Sequence, residues 1–549
     1  MSARHLFLSR VRNRLANEWT VLQWRRVLAP LRGEPAPAPT KTVLFCDLLT
    51  MTATAKVESL MAGLLRLKGY QAIVLLEKPD WPLEAIFRAA APNTQFVYRS
   101  KEITAEDLIA ARHEAKRLLA NIESLQALVG LELDGFRIGR NVQSWVLRQF
   151  RVGRLDDNDP RHRAATLETL TQSLATKAFV TRLLKERMPD SAIFVERGYT
   201  PAGEVFDGCV VAGVDVIQWL GAPQSDCLIY KRYNAENHGD HPLALSDVTW
   251  QRLLKMPWGE EQDAAVAEQI SANYESGAWY NRQQLQEGKS IVAAEEGRRA
   301  LGLDPAKKTA IIFCHILYDA TFFYGESLFD DYEQWMVETV RAAIANPNLN
   351  WVVKVHPVNV WRSKMDGGEL VQLEAETLRR HFGTLPDHVK IMPADTGINT
   401  FSLFSVADVG LTVRGTIGME LPCFGIPVVI AGTGRYASRG FTIDPKTREE
   451  YAGLLARLQD VLRLDAETIR RARLHYYGAI RLRPVPMQSF MINFEAALAT
   501  VANQSDVTLC QCADRSLLRS GDLGRFVSWA ADSRAPELLA DDLRLGNEP

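Results

Sequence analysis

Residues 408–432, DVGLTVRGTIGMELPCFGIPVVIAG, read as strand, helix and strand in close succession. DVGLTV (408–413) and PVVIAG (427–432) are near-continuous apolar runs, which is how parallel strands buried on both faces look. The stretch between them, Gly415 to Phe424, is predicted to be a helix, so the whole is one βαβ unit. The same alternation extends upstream. TAIIFCHIL (309–317) opens a block in which the loop YDATFFYGES leads to a helix over about 328–345. The strands NWVVKV (350–355) and HVKIM (388–392) and the helix TFSLFSVA (400–407) follow. An earlier block starts at the strand TVLFCDL (42–48) and continues through a helix faced by Val57, Leu60, Met61, Leu64 and Leu65. That helix stops at Gly69, and the strand QAIVLL (71–76) comes next. SAIFVE (191–196), a helix over 201–213 and VDVIQWL (214–220) repeat the pattern.

Strands alternating with helices at this density predict an α/β fold of two Rossmann-like doubly wound domains. Residues 104–130 and 160–188 read as helical, and DGFRIGRNV (134–142) as a turn and short strand. Residues 221–300 show amphipathic helices without strands and are expected to cross between the domains. The expected division is 1–40, an amphipathic helix and proline-rich linker (EPAPAPTK spans 34–41); 41–300, the first domain with its crossing segment; 301–480, the second domain; and 481–549, a helical tail.

With 549 residues, 47% hydrophobic and 24% charged, the composition is globular, and a net charge of -2 excludes a nucleic-acid-binding polycation. No run approaches the ~18 apolar residues of a membrane-spanning helix. The seven cysteines are scattered, several within apolar strands, which argues against a disulfide framework and for a reducing, cytoplasmic setting. Cys510 and Cys512 lack a second ligand pair nearby, so no zinc site is expected. Residues 1–33 hold seven arginines against one acid, Glu18, with Leu8, Val11, Leu15, Trp19 and Leu22 at helical spacing and Trp24 nearby. Such a helix suits peripheral attachment to an anionic inner-membrane surface; the alternative is packing on its own domain.

Ligands of open parallel sheets lie beyond the strands' carboxyl ends. There the strand WVVKV runs into His356–Pro357, and Lys354 and His356 point the same way because strand side chains alternate. The pair suits a phosphate. Beyond DVGLTV, Arg414, Gly415 and Thr416 open a helix whose N-terminus favours anions, and Glu420 is placed to accept ribose hydroxyls. PVVIAG ends in the glycine loop around Gly434 at the same rim.

The K-V-H-P strand end, the G-T-x-G-x-E helix, the following G-x-P-V-V and the G-x-x-x-Y loop resemble the capsule polysaccharide biosynthesis family. That family is akin to bacterial capsule Kdo transferases and, more distantly, to sialyl- and polysialyltransferases. The resemblance covers mainly 309–442, with weaker support from ERGYTPAGEVFDG (196–208). It implies a GT-B fold, the donor nucleotide on the C-terminal domain and the acceptor on the N-terminal one. By that resemblance His356 meets the donor phosphate, Gly415 and Thr416 assist, and Glu420 meets the ribose. Arg414-Gly415-Thr416 stands where sialyltransferase-type motifs carry a Ser-Ser/Thr pair, so the donor stays open between CMP- and UDP-linked sugars.

No cofactor or metal is expected, and DDNDP (156–160) reads as a solvated turn. An inverting transferase needs a general base. Glu196 and Asp47 end first-domain strands, while Asp319 and His315 sit at the start of the second domain. Glu196 is the leading candidate. The expected function is transfer of a sugar from a nucleotide-sugar donor to a growing capsule or other surface polysaccharide. The alternatives are a nucleotide-sugar 2-epimerase-like isomerase or a non-catalytic capsule biosynthesis or export component.

Overall fold

In the computed structural model, which describes residues 3–224, 226–276, 285–286, 288–366, 369–493 and 506–541, the chain builds two open sheets. The first contains β1 (Lys41–Cys46), β2 (Tyr70–Leu76), β3 (Gln95–Tyr98), β4 (Ser191–Phe194), β5 (Asp215–Gly221) and β6 (Cys227–Tyr233). Their spatial order is β6-β5-β4-β1-β2-β3, with β1 to β5 parallel and β6 returning along β5. The second contains β7 (Thr309–Phe313), β8 (Asn350–Lys354), β9 (Val389–Met392), β10 (Val409–Thr412) and β11 (Val428–Ile430). It is wholly parallel in the order β11-β10-β7-β8-β9. Each sheet switches winding direction beside its first strand, between β1 and β4 and between β7 and β10. Crevices open at such switch points.

Both sheets are covered on two faces. On the first, Phe45, Val74 and Ile193 enter one apolar cluster, and Leu44, Leu75 and Ala192 the other. The second divides in the same way between Ile311 and Val352 on one side and Ile312 and Val353 on the other. Two doubly wound Rossmann-like units, the GT-B arrangement, are therefore present as expected.

Several local expectations give way. Asp134 and Gly135 make a turn with φ of 52° and 80°, but the following residues form the helix Ile138–Phe150 rather than a strand. Ile138, Val142 and Val146 bury one helical stripe there. The segment 221–300 contains the strand β6, hidden in the sequence by its charges. Lys231 and Arg232 are buried and matched to Asp240 and Asp215 at 3.1 and 2.6 Å. The stretch TFSLFSVA forms a single 3-10 turn, Thr400–Phe404. The helix expected from Gly415 is one turn, Ile417–Glu420, tightening to 3-10 at Leu421–Phe424, where Pro422 has no N–H for an α-helical bond.

The tail is not simply helical. β12 (Val485–Pro486) extends the first sheet by pairing with β6, and β13 (Phe490–Asn493) pairs with β14 (Asp506–Leu509). The helix Leu523–Asp532 then packs Phe526 and Val527 into the core beneath the helix Thr52–Arg66. The C-terminal segment therefore completes the first unit; its residues 494–505 and 542–549 lie outside the described residues.

The N-terminal helix Ala3–Val27 and the short helix Ala29–Gly33 carry two apolar stripes. Val21, Trp24, Leu28 and Leu31 are buried in the first unit, and Trp24 Nε1 donates to Ser59 Oγ at 3.0 Å. Leu15, Trp19 and Leu22 are 61%, 65% and 59% exposed. The expected members Leu8 and Val11 have side chains outside the described residues.

Asp47 follows β1 and is fully buried, with neither carboxylate oxygen meeting a donor in hydrogen-bonding geometry. Burial, reinforced by Asp80, pushes its pKa up to about 7. Because the folded value lies above the unfolded one, stability is full below about pH 4 and is lost as pH rises through about 7. Asp47→Asn should remove a stability loss on the order of a few kcal/mol between acidic and mildly alkaline pH. Thermal unfolding across that range checks it, and an unchanged pH slope would contradict it.

Candidate functional site

A cavity of about 350 Å³ opens at the switch point of the second sheet. The ends of three adjacent strands supply its floor: His315 after β7, Lys354 and His356 at β8, and Thr412 to Ile417 at β10. Arg435 of the glycine loop forms one side. His241, Tyr274 and Gln286 close it from the segment between the two sheets. Among the described residues Asp319 is the one carboxylate on this wall, against Lys354, Arg414, Arg435 and three histidines.

Burial decides the state of the nitrogen groups. It holds Lys354 down to about 7, with Lys289 adding to the depression. It holds His356 at about 3, Lys354 and Arg362 contributing, so the ring is neutral at physiological pH. Val358 N–H donates to His356 Nδ1 at 3.2 Å, which places the ring proton on Nε2. His356 is thus a neutral hydrogen-bond donor rather than a cation. His315 is also neutral, lowered by burial first and Arg414 second. Its Nε2 accepts from the N–H groups of Val413 and Arg414 at 3.2 and 3.3 Å, and its ring stacks on Tyr332 at 4.3 Å. That commitment makes His315 a positioning residue for the β10 turn, not the free base that its place in the sequence suggested.

Arg414 is 4% exposed, and its guanidinium donates to the carbonyls of Tyr324 and Glu326. Arg435 donates to the carbonyl of Arg414 at 3.2 Å and meets His241 across the cleft. Since the Gly415 helix is one turn long, these guanidiniums rather than a helix dipole supply the positive field. Gly415 is held by Tyr436, whose hydroxyl donates to its carbonyl at 2.7 Å. A Cβ on Gly418 would lie 2.0 Å from that hydroxyl, which gives the glycine a packing reason.

The remaining candidates sit apart. Glu420 is buried, does not line the cavity, and accepts from the Tyr274 hydroxyl at 2.6 Å. Burial raises its pKa to about 7. Tyr274 is therefore the group presented to a ligand, with Glu420 behind it. Gly434, at φ +93°, packs against Gly325, and its carbonyl accepts from His241 N–H at 2.6 Å; it too lies off the cavity wall. Lys354, His356, Arg414, Gly415 and Thr416 line this one cavity. Arg435, Tyr274 and His241 join them although sequence reasoning did not single them out. Arg435 stands within the glycine loop already noted. Nothing local marks the other two, because the crossing segment brings them in.

Two of the base candidates, Glu196 and Asp319, meet where the two units touch. The Tyr199 hydroxyl donates to Asp319 at 2.8 Å, and Arg362 and Arg148 stand 3.4 and 3.7 Å from its carboxylate. Asp319 is thereby engaged. Glu196 lies two residues beyond β4, at the first sheet's switch point, and accepts from Arg197 N–H at 2.9 Å. Burial lifts it to about 7, partly offset by that bond and by Arg148. Glu196 does not itself line the cavity, but its charge acts on Tyr324, which does. In the 156–160 turn, Asp157 accepts from Leu125 N–H and Asp159 caps the helix Pro160–Glu186.

No family model matches the chain, and no curated protein matches it. Among solved structures, a beta Kdo 2,4 transferase, KpsC of Thermosulfurimonas dismutans, is 15% identical with a TM-score of 0.32, covering 58% of this chain and 84% of that one. The UDP-GlcNAc 2-epimerase of Neisseria meningitidis bound to UDP-GlcNAc is 12% identical with a TM-score of 0.24, covering 79% of this chain and 94% of that one. Likenesses this slight carry no argument about activity.

Proposed function

We propose that the chain is a glycosyltransferase that moves a sugar from a CMP- or UDP-linked donor to a growing capsule or other surface polysaccharide. The observation that supports this reading is the convergence of Lys354, Arg414, Arg435 and the Nε2–H of His356 on one cavity with a single carboxylate among the described residues. Such a wall fits the phosphate of a nucleotide sugar. Fixed donors there hold the charge that develops as the sugar–phosphate bond breaks. In a single displacement, the acceptor hydroxyl attacks the anomeric carbon, the bonding pair to the phosphate leaves with the nucleotide, and Glu196 takes the hydroxyl proton. A carboxylate near 7 is matched to that task.

The assay offers CMP-, UDP- and GDP-sugars with and without oligosaccharide acceptors. Free nucleotide released only with acceptor supports transfer; interconversion of donor sugars without acceptor contradicts it. The rate should rise with pH as Glu196 ionises near 7 and fall again at higher pH as Lys354 loses its proton. Glu196→Gln should lower turnover by about 10²–10⁴-fold and remove the rising limb, with nucleotide affinity unchanged. A retained limb would sink the assignment.

The second part of the proposal is reversible attachment of the N-terminal helix to an anionic membrane. It rests on Leu15, Trp19 and Leu22, exposed on one stripe beside Arg14, Arg25 and Arg26. Deleting the helix would also strip Val21 and Trp24 from the core, so the informative variant replaces Leu15, Trp19 and Leu22 with serine. On anionic liposomes at low salt the native chain should float and the variant should sediment. Equal flotation of both would remove this part of the proposal.

A further inference from the structure

His241 reaches the cavity from the segment between the two sheets, and that segment is fixed in place. Three buried cations donate to its carbonyls: Arg197 to His238 and Asp240, Lys231 to Ala244, and Arg483 to Pro242 and Ala244. The Leu243 N–H donates to His241 Nδ1 at 3.0 Å, so the one proton of the neutral ring sits on Nε2. Yet Nε2 meets the guanidinium of Arg435, which has donors and no acceptor. Two donors thus confront each other across the cavity, and neither can satisfy the other. An anionic oxygen accepting from both would do so.

A second pair of donors stands at β8. Lys354 is 7% exposed, lines the cavity and makes no hydrogen bond or ion pair among the described residues. Glu374, whose charge reaches it, is spent on Asn359 Nδ2 at 2.8 Å and on the N–H of His356. The Nε2–H of His356 likewise has no acceptor among the described residues. A buried ammonium without an acceptor is costly, and a ligand anion would relieve it.

The two pairs stand apart. β7 lies between β8 and β10, and Arg435 follows β11, on the far side of β10. With neighbouring strands about 4.8 Å apart, the β8 and β10 ends are separated by about 10 Å, more than one phosphate spans. His315, after β7, does not bridge them, because its Nε2 is given to the N–H groups of Val413 and Arg414. Asp319 is engaged by Tyr199 and Arg362 rather than by either pair.

We infer that the cavity grips two anionic groups of one donor, one between the Arg435 guanidinium and the Nε2–H of His241, the other at Lys354 and the Nε2–H of His356. The inference rests on the transferase reading above and narrows the donor to one with a second negative group. That group is either the second phosphate of a diphosphate or a carboxylate on the sugar of a CMP-linked donor.

The test is calorimetry on the intact protein with UMP, UDP, CMP, CDP, a CMP-linked acidic sugar, and inorganic phosphate and pyrophosphate. The variants are Lys354→Met at one pair, and His241→Ala and Arg435→Gln at the other. Melting temperatures are measured alongside, and two variants at the second pair keep it testable if one melts early. The second anionic group should tighten binding to the native protein by at least about tenfold. UDP over UMP and CDP over CMP would identify a diphosphate; the acidic sugar over CMP, with CDP no better than CMP, would identify the carboxylate. Variants at both pairs should remove that gain, while the monophosphates should weaken at one pair only. Absence of any gain from a second anionic group overturns the inference. So does equal weakening of the monophosphates at both pairs, which would mean one phosphate held by all four groups. If no nucleotide binds but pyrophosphate does, with the same pattern among the variants, the transferase reading fails and the double site stands. Failure of pyrophosphate as well overturns both.

Discussion

Among the described residues, two arginines and a lysine share the wall of one cavity with a single carboxylate, and much of the surrounding architecture manages that imbalance. Like charges withdrawn from water repel strongly and are tolerated where neighbours give up their own charge or supply hydrogen bonds. Here burial and the neighbouring cations keep His241, His315 and His356 neutral. Lys354 is brought near half-ionisation, and backbone carbonyls take up the guanidinium of Arg414. An anionic ligand completes the balance. On the proposed reading, the site is prepared for phosphate before any ligand arrives.

The loops after β4 and β7, each at a switch point of its sheet, meet at the seam between the units. Contacts between the units hold them in register: Tyr199 to Asp319, and Gly325 N–H to the carbonyl of Gly239 at 2.7 Å. Gly198, at φ +83°, lets the Phe323 ring approach so closely that a Cβ would fall 2.1 Å from it. Glu196 stands at one end of this seam and His356 at the other unit's rim, so the proposed base and the proposed leaving-group donor stand at different sheets. Small changes in the seam would alter their separation, which ties catalysis in the proposed reaction to interdomain packing.

Much of this was legible in the sequence, and what was not has physical reasons. Apolar runs such as TAIIF and NWVVK reveal themselves because strands buried on both faces have little room for polar side chains. β6 concealed itself because Lys231 and Arg232 are buried with partners distant in sequence, including Glu537 and carbonyls of the tail. The tail's return to the first sheet follows from pairings such as Val485 with Leu228, which no local periodicity records. At the site, strand-end residues were readable because their place follows from topology. Tyr274 and His241 were not, since the crossing segment's path decides their position. Glu420 was read as facing the ligand when tertiary packing turns it toward Tyr274.

The central claim is that the β8 strand end is a phosphate-binding element and not a capped core strand. Substituting His356 by alanine and measuring melting temperature together with single-turnover transfer separates these directly. The account predicts a near-native melting temperature with transfer slowed by about 100- to 1,000-fold, the usual cost of one preorganised donor. A variant that melts much lower while its folded fraction transfers at the native rate would contradict it.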